Sequence, residues 1–149
     1  MNVRLRWLVA LTALAGSAVA TTADGRSDDD FHITLNPSSR NQGKVAWAFF
    51  APHGDSTSIV LSVGGVPSDL VRPVRLYTYV YQGSCVRLPA SPAYELNEVV
   101  VPHRQWAPPL TLNKSLPMPP SQLRSGGYSI VVRSGPPDGS IELFCGDIR

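Results

Sequence analysis

This chain is poor in the residues that carry most chemistry. It has two cysteines and three histidines in 149 residues. Zinc usually takes three or four N, O or S ligands, and no such set can be drawn here. His32, His53 and His103 have no i, i+2 or i+4 partner among themselves, so no local metal motif exists. No G-x-S-x-G elbow occurs, so Ser84, beside Cys85, lies in no nucleophile motif. Glu95, Glu98 and Asp69 supply carboxylates, but glycoside hydrolysis is decided by their separation in space, which the sequence does not give, and no positioned set is visible. Long apolar runs are missing as well. The stretch 7–14 falls short of the ~18 residues that a membrane-spanning helix takes.

That run belongs to a different pattern. MNVRLRWLVALTALAGSAVA has Arg4 and Arg6 at its start, the apolar stretch, and Ala18 and Ala20 in an A-x-A end. It reads as a signal peptide over 1–20, cut after Ala20, which places the mature chain in the periplasm or outside the cell. No transmembrane segment is then expected after cleavage. Removing Arg4 and Arg6 takes the 13 basic residues to 11, against 11 acidic ones, over the remaining 129 residues. An excess of positive charge is therefore absent, which excludes the basic stripe of a nucleic-acid binder. The next ten residues, 21–30 (TTADGRSDDD), read as a disordered acidic leader. Asp28, Asp29 and Asp30 are consecutive, without the alternation and glycine turn of a calcium loop.

Export also bears on the cysteines. In an oxidising compartment Cys85 and Cys145 are expected to pair, closing a 60-residue loop worth about 4 kcal/mol of chain entropy. The competing possibility is two free or intermolecular thiols.

What the chain has in quantity is proline, 14 residues spread along it, which excludes long helices. Between the turns lie short stretches of strand chemistry. These are 31–36 (FHITLN), 44–51 (KVAWAFFA), 57–63 (TSIVLSV), 74–82 (VRLYTYVYQ), a shorter piece in 94–101, 110–112 with the NKSLP that follows, 128–133 (YSIVVR) and 140–145 (SIELFC). SGPPDG, between the last two, predicts a hairpin. The one helical candidate is 120–124 (PSQLR), and 86–120 reads as long connections around a short strand. The whole predicts an all-β domain over 31–149, an antiparallel Greek-key sandwich or barrel of the immunoglobulin-like kind. Trp47, in a hydrophobic strand, is expected in the core, and Trp106, in HRQWAPPL, at a surface or loop edge.

In YTYVYQGSC, Tyr77, Tyr79 and Tyr81 share one strand face and run into Cys85. Near the C-terminus stands Phe144-Cys145-Gly146-Asp147-Ile148. Together these segments resemble the exported bacterial copper–zinc superoxide dismutases, in which a His-x-His strand runs into G-S-C and the partner cysteine lies in A-C-G-x-I. The resemblance covers 57–85 and 128–149 and implies a superoxide dismutase-like fold. It also implies a metal site that these residues depart from. Tyr79 and Tyr81 stand at the His-x-His positions, the late histidine position falls near Val132 or Arg133, and 86–105 holds only His103.

The expectation is thus a non-catalytic exported domain with a binding or structural role, no cofactor, and an unidentified envelope protein or small ligand as partner. The tyrosine face has two readings: packing, or an aromatic platform. Tyr77, Tyr79, Tyr81 and Trp106 are the candidate recognition residues. The alternative is a metal-binding protein or copper/zinc enzyme that uses His32, His53 and His103. A further option is strand addition at an exposed edge.

Overall fold

The computed structural model describes residues 29–149. The expected signal peptide, and the leader up to residue 28, lie outside the described residues. Eight strands form one sheet in the order β5-β4-β7-β8-β1-β2-β3-β6, with antiparallel pairing throughout, curled into a nearly closed barrel. The strands are β1 Phe31–Pro37, β2 Ala46–His53, β3 Ser56–Val63, β4 Leu76–Gln82, β5 Tyr94–Glu95, β6 Leu110–Leu116, β7 Tyr128–Ser134 and β8 Glu142–Asp147. A short helix, α1 Pro120–Ser125, precedes β7.

β1 belongs to both halves of the barrel. Its first five residues pair with β2, and Asn36 and Pro37 pair with β8. The inner rows follow from period-2 alternation. Leu35, Ala46, Val63 and Leu110 form one row across four strands, and Ile33, Ala48, Leu61 and Leu112 form the next. Leu76, Val80, Ile130, Val132 and Phe144 complete the core from the other half. At one end Phe31 stacks on Phe50 with ring centroids 4.5 Å apart. α1 buries Leu123 there and sets the Arg124 guanidinium over the Phe31 ring.

Trp47 departs from expectation. It lies on the outer face, 36% exposed, in a row with Thr34, Ser62 and Thr111. The segment AWAFF is apolar on both faces, so its own pattern does not set its phase. The polar neighbours across the sheet do, and they put Ala46, Ala48 and Phe50 inside. The expected piece in 94–101 shortens to a two-residue strand.

The sheet's free edges are β5 and β6, and the connection at 96–105 laces them together. On one side, Leu96 N donates to Thr78 O and Leu76 N donates to Val100 O. Thr78 N also donates to the Asn97 Oδ1 carbonyl at 2.8 Å. On the other side, His103 N donates to Thr111 O on β6. Lys114 supplies the rest of the closure.

Candidate functional site

The cysteines are joined. The Cys85–Cys145 disulfide links the turn after β4 to β8, with the Cα atoms 5.8 Å apart. Cys85 N donates to Asp147 Oδ1 at 2.7 Å, a second tie between the same segments. Tyr81, Val131 and Cys145 form a small cluster, with Tyr79, Cys85 and Leu88 packed against it. This cluster lies on the opposite face of β4 from the core residues Leu76 and Val80. The Tyr79 and Tyr81 rings sit 6.4 Å apart and tilted. Two of the three phenols therefore cover the sulfur bridge with aromatic area. Tyr77 stands farther along the strand, opposite Arg133, and is half-buried.

The copper and zinc that the resemblance implies do not fit these residues. Phenol rings occupy the two strand positions, and the candidate histidines are spread over the molecule. His32 stacks against Phe49 on the outer face, His53 ends β2, and His103 lies in the seam connection. Among the described residues no group of three or more His, Cys, Asp or Glu converges.

Trp106 follows the lacing segment, and its position is built by the residue before it. Gln105 Oε1 accepts from Val74 N at 2.9 Å, and Gln105 Nε2 donates to Val74 O and Pro102 O. Arg72 Nη1 donates to the Gln105 carbonyl at 3.3 Å. The pinned loop presents Trp106 to solvent at 96% exposure. Arg72, Pro73, Gln105 and Trp106 line a shallow cavity of about 640 Å³. A smaller cavity, about 150 Å³, shares Arg72, Gln105 and Trp106 and adds Lys44, Gly64 and Val66 among its walls. The Lys44 stem lies over Gly65, where an added Cβ would meet Lys44 Cδ at 2.9 Å. Trp106 makes no ring contact with the tyrosines among the described residues, so the four expected recognition residues do not form one surface. No family model, curated protein or solved structure matches the chain.

One residue of consequence escaped the sequence reading. Lys114 occupies an inner position of β6, between Leu112 and Leu116 and in the row of Phe31, Phe50 and Ile59. It is only 7% exposed. Its ammonium donates to Leu96 O at 2.7 Å and to Val99 O, fastening β6 to the segment after β5. It lines a cavity of about 300 Å³ at the seam with Glu95, Glu98 and Asn113. Burial pushes its pKa down from 10.5 to about 8, partly offset by the negative charge of Glu98. The signal was available: LTLNKSL alternates Leu, Leu, Lys, Leu on one face. Among the described residues, no helix is long and apolar enough to cross a membrane.

Proposed function

We propose that this chain is a non-catalytic, exported, disulfide-stapled domain of the cell envelope that works by binding, and that its recognition surface is the groove at Trp106. The observation that carries this is a bulky indole held almost wholly in solvent by a loop whose preceding side chain is tied at three points. An isolated exposed aromatic on a slack loop is ordinary surface. An anchored one beside a concave wall has its ordering cost met before any ligand arrives.

The fold reading goes with this. A superoxide dismutase-like Greek key is supported by the strand order, once β5 and β6 are taken as neighbours across the seam: β6, β5 and β4 then lie side by side with β7 returning beside β4. It is supported also by the bond from the turn after β4 to β8. A non-catalytic role is supported by how the reactive groups are employed. Both sulfurs are in the disulfide, and the Lys114 amine spends its donors on backbone carbonyls.

Co-sedimentation with an envelope fraction from the source cells tests the assignment. The full-length protein is retained, and Trp106→Ala, folded to the same stability, is released. Equal retention of both proteins would remove Trp106 from the recognition surface.

A further inference from the structure

We propose that the Trp106 groove takes an acidic saccharide, with a pyranose ring lying flat on the indole and its carboxylate held by Arg72 and Lys44. This rests on Trp106 being the recognition surface and adds the chemical class of the ligand.

Charge decides the sign. Arg72 lines both cavities and Lys44 the smaller one, the two share Gln105 and Trp106 as well, and no carboxylate lines either. Among the described residues neither cation has an ion-pair partner, whereas the neighbouring Arg40 is paired with Asp69 at 3.6 Å. Asp138, the acid that reaches this region, accepts from Val71 N at 2.8 Å and stands outside the cavity walls. Among the described residues both positive charges thus lack a counterion, and an anionic group is what complements them.

Shape decides the class. The indole is open on a broad face with no second aromatic wall opposite it. An aromatic or aliphatic peptide side chain gains most where it is enclosed on several sides. A flat, partly apolar ring with polar edges gains from a single open face, because its C–H surface rests on the π-cloud while its hydroxyls stay in water. The groove also offers no row of unpaired strand backbone, which extended peptides use for docking. The 640 Å³ cavity is shallow and walled by four residues, which suits a ring resting on its surface rather than a small molecule engulfed by it.

Calorimetric titration of the full-length protein tests this with three probes: trigalacturonate, maltotriose and hexaglutamate. Trigalacturonate binds, maltotriose and hexaglutamate bind at least tenfold more weakly, and Trp106→Ala abolishes binding. Lys44→Gln and Arg72→Gln each weaken trigalacturonate at least threefold, and raising salt from about 50 to 500 mM weakens it further. Lys44→Gln leaves the Gln105 anchor untouched, so its effect reports charge alone. Equal binding of trigalacturonate and maltotriose, with Lys44→Gln silent, overturns the acidic class and leaves the Trp106 surface standing. Tightest binding by hexaglutamate overturns the saccharide. Trigalacturonate binding that survives Trp106→Ala overturns the inference, as does binding of no probe. In that last case, envelope retention that still depends on Trp106 would preserve the broader reading, and its loss would end both.

Discussion

Replacing Lys114 by methionine exchanges two effects of similar size, and pH separates them. The Lys114 side chain is 7% exposed, and burial lowers its pKa from 10.5 to about 8. A shift of that size corresponds to about 3 kcal/mol at most, since the amine lines the seam cavity and solvent there screens its charge. The folded state releases its proton first, so between pH 8 and 10.5 the unfolded chain binds more protons and stability rises with pH. Above pH 10.5 the benefit is complete, and it is lost as pH falls through 8. At pH 7 the wild type bears the whole cost of the buried charge, and Lys114→Met removes it. The variant also leaves the buried carbonyl of Leu96 without its donor, a loss of about 1–3 kcal/mol, whereas Val99, 47% exposed, can take water in place of the amine. The two effects nearly offset at pH 7, while at pH 10.5 only the loss remains. Urea unfolding of both proteins from pH 7 to 10.5 reads the difference directly, because the rest of the sequence is common to both. The gap between wild type and variant should widen by about 2–3 kcal/mol over that range. A constant gap would mean that the amine titrates as it does in water and that the seam is not built around a buried charge.

Other outcomes follow from the same structure. Cys85→Ser together with Cys145→Ser should lower stability by about 4 kcal/mol, within a range of about 2–5, read from denaturant midpoints. Gly146→Ala should cost about 1–3 kcal/mol by overpacking, because its Cβ would stand 2.5 Å from Leu35 Cδ2 where β8 crosses β1. A thermal scan unchanged by that substitution would show the crossing to be looser than described. Trp106→Ala should shift unfolding free energy by no more than about 0.5 kcal/mol, since the indole touches little besides water.

Some of this was legible in the amino-acid order and some was not, for physical reasons. The β7–β8 hairpin is written locally in SGPPDG, and the disulfide in the presence of only two cysteines. α1 lies where PSQLR suggested, extended by one residue. The phase of β2 was not legible, because AWAFF is apolar on both sides and its neighbours at 34, 62 and 111 decide it. The seam was not legible either, since 96–105 is held by bonds to Leu76, Thr78, Thr111 and Lys114 rather than by a pattern of its own. Exposure of Trp106 could be read from its proline-rich setting. Its companions could not, because Arg72 and Lys44 arrive from loops 34 and 62 residues earlier in the chain. The tyrosines, read as a group of three, divide: Tyr79 and Tyr81 cover the disulfide and Tyr77 stands apart.

The molecule offers its own control for the claim that recognition occurs at Trp106. Trp47 lies beside exposed Phe49 on the outer face of β2, an aromatic surface separate from the pinned loop. Following the indole N–H signals of both residues by NMR, while solubilised envelope glycans are added, compares the two surfaces in one experiment. The signal of Trp106 should move with added glycan and that of Trp47 should stay. Movement at Trp47 with Trp106 unchanged would contradict the account.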